Sequence, residues 1–308
     1  MEASVRLYGV QAIDVEGVES GTYSFAKSEE EAHERVLITG GPSSGRTRLL
    51  ELIVAARQFL TAGERVIDQS SFIRPENKTC KVILWWQLTS EEQATIGVAS
   101  PIASTEVIFR DEIEDAVDQR MSFLLERYGH DDATPKFEYF SERRRLDVGG
   151  GEASLDQDEQ RGLRTDPGPR KFSWIPSFLL QLPDDPKQAQ RFADSLHRFS
   201  PSSAYDVERH HLSSLGRPLG SLDELSASEA DALMFSATAA LVGLSGSIVL
   251  VDRPELHGID PVHAMAGLMG LGADNQLIIA SPSPALAATF DGIVVAVGAG
   301  GTSHPDAA

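Results

Sequence analysis

The sequence predicts an α/β fold, and three observations predict it. An apolar run, "ERVLITG" at 34–40, ends in glycine and leads into a helix-length apolar segment from Thr47 to Leu60. Two further apolar runs, Ser247 to Val251 and Gln276 to Ala280, recur in the second half, each the length of a strand buried on both faces. Between them, "CKVILWWQL" (Cys80 to Leu88) and "STEVIFRDEI" (Ser104 to Ile113) read as antiparallel strands.

Taken in order, Val5 to Val10 and Thr22 to Phe25 are short strands of an opening sheet, followed by the strand and helix around residue 40. Ile113 to Tyr128 reads as an amphipathic helix that closes a β-rich lobe. Residues 147–171 carry much Gly, Asp, Gln and Pro with few large apolar groups, so a mobile loop is expected there. Pro186 to Phe199 is a polar helix, and Ser226 to Leu244 a strongly apolar helix with a serine and acidic start. "GIVVAVGAG" supplies a fourth buried strand, and "GAGGTSHPDAA" reads as a frayed tail. These elements divide into an N-terminal β lobe (1–112), a helical insert (113–215) and a C-terminal lobe (216–308) of one composite domain.

At 308 residues the chain can bury a substantial core, and its 46 acidic against 27 basic residues give a net charge of −19. Such a field disfavours nonspecific attachment to nucleic acid or anionic lipid, so any nucleic-acid contact is expected to be indirect, through a local basic patch or another subunit. One cysteine, Cys80, excludes an internal disulfide and a multi-thiolate zinc site, and fits a reducing, cytoplasmic setting. No basic n-region with an apolar core opens the chain, and no apolar run approaches the roughly 20 residues that span a bilayer, so neither export by that route nor membrane embedding is expected.

The first chemical candidate is "GGPSSGRT", running through Gly40, Gly41, Pro42, Ser43, Ser44, Gly45, Arg46 and Thr47. It stands between a buried strand and a helix, as a phosphate-binding P-loop does, with Gly40, Gly45 and Thr47 in the G-x-x-x-x-G-K-[ST] spacing. Glycines let backbone N–H groups turn inward around phosphate oxygens, and the helix N-terminus adds a favourable dipole. Arg46 replaces the lysine: guanidinium is larger and planar, and cannot reach the β- and γ-phosphates identically. A glycine-rich turn without a ligand is the competing reading.

The second candidate is "SIVLVDRPELHGIDP", where a buried strand delivers Asp252 to the carboxyl edge of the sheet, the edge at which open α/β folds place ligands. With Thr47, Asp252 is a candidate Mg²⁺ ligand. A hydrolase needs a neighbouring carboxylate to deprotonate the attacking water, and Arg253, charged at every accessible pH, cannot do so.

"VLVDRPELHGIDP" resembles the Walker B segment of ABC-type ATPases of the SMC, RecF and OLD kind, a group of AAA ATPases in the broad sense. Asp252, Pro254, Glu255, Leu256 and His257 match its D-E-P-E-L-H pattern, and Arg253 departs from it. The resemblance extends to "LSASE", similar to the L-S-x-G-E signature: Leu225, Ser226 and Glu229 match, and Ser228 stands for glycine. In "IIASPSPAL", Ser283 and Pro284 match the T-H-S-P switch segment, and Pro282 takes the histidine position. "FEYFSERRRL" is similar to the aromatic and arginine segment between the two lobes; a solvated basic turn is the expectation for Arg143, Arg144 and Arg145.

The resemblance implies a P-loop NTPase fold, an ABC-ATPase-like head with antiparallel β lobe, central sheet and helical insert. It implies heads that work in pairs, each sandwiching ATP and Mg²⁺ between its own P-loop and its neighbour's signature serine. Lysine, catalytic glutamate and switch histidine are replaced here by Arg46, Arg253 and Pro282. The expectation is a pseudo-ATPase that binds nucleotide weakly or only with a partner. Through Ser226 it completes the site of an intact ATPase subunit, in a DNA-repair or phage-defence type of complex with a nuclease or similar effector on another chain. Two alternatives stand beside it: a genuine ATPase that uses Arg46 and a base such as Glu255, and a nucleotide-free scaffold. Gln87 is expected to be an ordinary strand residue, His210 and His211 surface residues, and one of Trp85 and Trp86 a core residue.

Overall fold

Strands with one apolar face and strands apolar on both faces are sorted into different sheets. The computed structural model describes residues 4–61, 65–110, 119–146 and 154–298. Strands β1 (Arg6–Ile13), β2 (Gly21–Ser24), β4 (Thr79–Gln87) and β5 (Ile102–Arg110) form an antiparallel sheet in the order β2-β1-β4-β5. Alternation along β4 buries Trp86, whose indole N–H donates to Thr105 Oγ1 at 2.9 Å, and leaves Trp85 half-buried on the other face. Gln87 ends β4 and accepts from the Ala32 N–H at 2.7 Å, an ordinary structural role.

The central sheet is parallel, ordered β12 (Ile293–Ala296), β3 (Arg35–Thr39), β11 (Gln276–Ala280), β10 (Ile248–Asp252) and β6 (Phe137–Phe140). Its side chains divide two cores. Val36, Ile38, Ile248, Leu250 and Ile278 face the first core, with α1 (Arg46–Phe59) and the antiparallel lobe. Leu37, Val249, Val251, Leu277 and Ile279 face the second, with α6 (Pro186–Phe199), α7 (Ala227–Val242) and α8 (Pro261–Met269). Burial on both faces explains why β3, β10 and β11 read as unbroken apolar runs, whereas β12, expected as a fourth buried strand, is a partly exposed edge strand with Val294 53% exposed.

In the second core Phe235 of α7 lies between Phe140, with ring centroids 4.6 Å apart, and Phe199, stacked at 4.9 Å. A small hairpin sheet, β7 (Ser203–Asp206), β8 (His211–Ser214) and β9 (Arg217–Pro218), covers the start of α7. His210 is exposed and His211 half-buried on that hairpin. Cys80 is buried and free, and burial raises its thiol pKa to about 11. Among the described residues no helix is long and apolar enough to cross a membrane.

The loop expected over 147–171 is an ordered structure wherever it is described. Helix α4 (Gln157–Leu163) and a 3₁₀ turn at Pro169–Phe172 pack there, while residues 147–153 lie outside the described residues. The segment is anchored by charge rather than apolar area: buried Arg164 and Lys171 converge on buried Glu138 of β6, at 3.3 and 2.5 Å. Composition rules that count apolar groups miss such an anchor. "FEYF", not expected to be a strand, is the buried edge strand β6. Of the helix expected over 113–128, Gln119–Leu125 is helical and 113–118 lie outside the described residues, as does the expected tail from 299.

Truncating the ring at the centre of the second core, Phe235→Ala, is expected to lower the unfolding free energy by about 3–5 kcal/mol in denaturant melts.

Candidate functional site

Three parallel strands end at one edge of the central sheet, and the candidate residues hang from the loops that follow them. After β3 the chain turns through residues 40–45 and enters α1. Gly45 adopts φ +93°, and a β-carbon there would lie 2.3 Å from the Gly17 carbonyl oxygen, so only glycine fits. Gly40 is equally confined, since a β-carbon would meet Ser44 Oγ and Val297 O at 2.4 Å. The turn is thus a tight loop with a helix behind it, the shape a phosphate site requires.

Two adjoining cavities open over this loop. The larger, about 600 Å³, is lined by Gly41, Pro42, Ser43 and Ser44 together with Glu16, Glu19, Arg74 and Glu76. The smaller, about 280 Å³, is lined by Ser43 to Arg48, Glu51 and Arg143. Arg46 does not reach out of the loop: its Nη1 donates to the carbonyls of Gly40 and of Gly41, the latter at 2.7 Å, and lies 3.4 Å from Ser44 Oγ. Its guanidinium therefore closes the loop's own carbonyls.

Asp252 ends β10 and is fully buried, yet among the described residues neither carboxylate oxygen has a hydrogen-bond partner of good geometry. Burial lifts its pKa from 3.8 to about 7, and Glu142 and Glu51 add to the rise, while the neighbouring Thr47 hydroxyl and Arg144 pull it down. A bare buried carboxylate is costly unless a cation compensates it, so this one, beside Thr47, fits a divalent metal. The Thr47 hydroxyl and the Asp252 carboxylate are neighbours.

Arg253 follows in a left-handed conformation, φ +48°, with its N–H bonded to the Ala280 carbonyl at 2.8 Å. Its side chain sits between Glu142 Oε2, 3.5 Å away, and Glu255 Oε1, 4.0 Å away. Glu255 in turn accepts from Ser281 Oγ at 3.0 Å. Pro282, beyond β11, is exposed and has no donor to offer a phosphate. Ser283 caps the next helix, α9 (Pro284–Thr289), by accepting from the Leu286 N–H.

Ser226 is the exposed N-cap of α7, in a capping box with Glu229: its hydroxyl donates to Glu229 Oε2 at 2.7 Å and its N–H to the same oxygen at 3.0 Å. Glu229 also accepts from Ser203 and Ser214. Burial pushes the Glu229 pKa up, but the bonds from Ser214, Ser226 and Ser203 outweigh it and hold the group low. Ser228 lies 3.3 Å from Ser226 at the same exposed end, and Leu225 packs against the second core. "LSASE" thus has a structural reason of its own, beside any contact with another molecule.

Arg144 is not in a solvated turn. Only 1% exposed, it makes a two-pronged pair with buried Asp231 of α7, at 3.0 and 2.8 Å. It also donates to the carbonyls of Ser141, Asp252 and Arg253 at 2.9, 2.6 and 2.9 Å. His257 Nδ1 lies 2.9 Å from Asp231 Oδ1. Sequence reasoning missed this clamp, although a lone aspartate inside the apolar run "SEADALMF" signals a buried acid that needs a cation. Glu51 gives the same signal inside "RLLELIVAA"; it is buried and pairs with Arg48 at 3.3 Å and Arg143 at 3.6 Å.

No protein-family model and no curated protein matches the chain. Solved structures do. An SMC head bound to the C-terminal winged-helix domain of ScpA superposes with TM-score 0.53 at 11% identity, covering 92% of this chain and 91% of that one. The SMC head with extended coiled coil, bound to the C-terminal domain of ScpA derived from Pyrococcus furiosus, gives 0.52 at 11% identity, covering 92% and 91%. The recombination mediator protein RecF with ATPγS gives 0.51 at 11% identity, covering 96% and 98%. The fold is that of the P-loop, ABC-ATPase-like heads of SMC and RecF.

Because its folded pKa is raised, protonated Asp252 contributes stability that is full below about pH 4 and lost as pH rises through about 7. Asp252→Asn is expected to flatten that decline in denaturation midpoints, and Mg²⁺ protection of the native chain should grow as the carboxyl ionises above about pH 7.

Proposed function

We propose that this chain is a nucleotide-binding ABC-type head that holds Mg²⁺–ATP through residues 40–47 and Asp252, does not turn it over alone, and works paired with an intact ATPase head. The observation that carries the reading is the Asp252 carboxylate, buried beside the Thr47 hydroxyl and with no other hydrogen-bond partner among the described residues. Bound Mg²⁺ would neutralise phosphate charge there; Asp252 and Thr47 would hold it.

Loss of turnover rests on three positions. Arg46 is engaged with its own loop, Arg253 puts a cation where a base is needed, and Pro282 cannot hydrogen-bond a phosphate. The same chain keeps Ser226 exposed at the N-terminus of a sixteen-residue helix, where hydroxyl and helix dipole suit a triphosphate presented by another subunit. We therefore place Leu225, Ser226, Ser228 and Glu229 against the nucleotide of the partner head. A protein partner accords with the SMC heads, which are seen bound to ScpA. We further propose a cytoplasmic complex of the DNA-repair or phage-defence type, its nuclease or other effector on a separate chain and nucleic acid reached only through it.

The isolated chain is expected to hydrolyse ATP at well under about 1 s⁻¹, an ordinary slow enzymatic rate. Turnover by the complex co-purified from the native cell should fall to background with Ser226→Arg in this chain. A complex whose turnover ignores that substitution would refute the pairing.

A further inference from the structure

We infer that Glu142 is a general base held in reserve by Arg253, supplying from the neighbouring strand the carboxylate that position 253 lacks. The inference rests on the nucleotide-binding reading and goes beyond it.

The geometry begins with register. Strands β6 and β10 are parallel, with Phe140 opposite Val251, so two residues further on Glu142 stands beside Arg253 at the same sheet edge. Arg144 fixes that neighbourhood by tying the Ser141 carbonyl to those of Asp252 and Arg253. Glu142 therefore follows a clamped carbonyl on the loop after β6, facing the clamped loop that carries Arg253. Its charge is felt at the metal carboxylate, where it helps to raise the Asp252 pKa, and at the Tyr139 hydroxyl.

Other carboxylates at this edge are less open to water: Glu255 also faces Arg253, at 4.0 Å, but its side chain is only 17% exposed. Glu51 is pinned between Arg48 and Arg143, and Glu255 accepts from Ser281. Glu142 faces Arg253 at 3.5 Å, and both side chains are about a third exposed, 33% and 38%. An ion pair so solvated is weak and exchanges readily. Arg253 Nε has no hydrogen-bond acceptor, and the residue's left-handed backbone is one arginine rarely adopts. The latch is weakly held on the arginine side and firmly built on the glutamate side.

Once Arg253 turns away, Glu142 can accept a proton from water. The water oxygen then bonds to the γ-phosphorus, the bond from that phosphorus to the bridging oxygen breaks, and its electron pair leaves with ADP. ATP and water become ADP and phosphate, and the proton passes from Glu142 to solvent.

Arg253→Asn tests the inference, because it removes the cation and tolerates positive φ; Arg253→Gly serves if the asparagine variant does not fold. Steady-state turnover of the purified variant should exceed the native chain's by at least about tenfold, and Glu142→Gln added to it should remove the gain, within the roughly 10²–10⁴ range of general-base effects. Stabilisation by Mg²⁺–ATP in thermal melts should persist in all three proteins, since Glu142 acts on water. A variant stabilised by ATP yet no faster than native overturns the inference. So does a gain that survives Glu142→Gln and disappears with Glu255→Gln. If ATP stabilises neither native chain nor variants, the nucleotide-binding reading has failed, and this inference falls with it.

Discussion

Arg144 holds three parts of the molecule at one point. Its five donors serve the Asp231 carboxylate on α7 and the carbonyls of Ser141, Asp252 and Arg253. The loop after β6, the loop after β10 and the helix that carries Ser226 therefore share one buried cation. Guanidinium suits this role because its fork is planar and its charge permanent. Neither charge of the pair is exposed, so loss of either would strand the other in the core, a cost of about 3–5 kcal/mol in comparable pairs. With this clamp in place, the backbone of Asp252 cannot shift without disturbing α7, and the end of α7 cannot tilt without loading the site.

Around that fixed point the sheet arranges chemistry by topology. Inserting β11 between β3 and β10 sets Ser281 between the glycine loop and Asp252. Placing β6 outside β10 brings Glu142 to the far side of Arg253. Asp252 is left with only the Thr47 hydroxyl beside it, and burial of its charged form lowers stability at neutral pH. Arg46 acts in the opposite sense: by binding the carbonyls of Gly40 and Gly41 it stabilises the loop in the absence of phosphate. The buried carboxylate and the glycine loop thus lie at one sheet edge, with the positive group of the loop turned inward.

Much of this was legible in the residues. Unbroken apolar runs located β3, β10 and β11, because strands buried on both faces leave no polar alternation to confuse the pattern. The glycine spacing located the loop, since close approach at Gly45 excludes any β-carbon. The serine with glutamate three residues on located the start of α7 through its capping box. What stayed hidden depends on pairing across long separations. Nothing local says that Arg144 will meet Asp231, that Glu138 will collect Arg164 and Lys171, or that "FEYF" will take the edge of the central sheet. Arginines in the polar run "SERRRL" look solvated until the buried acid of another helix is brought beside one of them.

The central claim is that Asp252 and the glycine loop form a working Mg²⁺–nucleotide site in a chain that cleaves nothing by itself. Calorimetric titration of the isolated native chain with ATP, with and without Mg²⁺ and beside Asp252→Asn, tests it most directly. The account predicts Mg²⁺-dependent binding by the native chain that the substitution abolishes. A native chain that binds no ATP with Mg²⁺ present, or that binds equally well after Asp252→Asn, would contradict it.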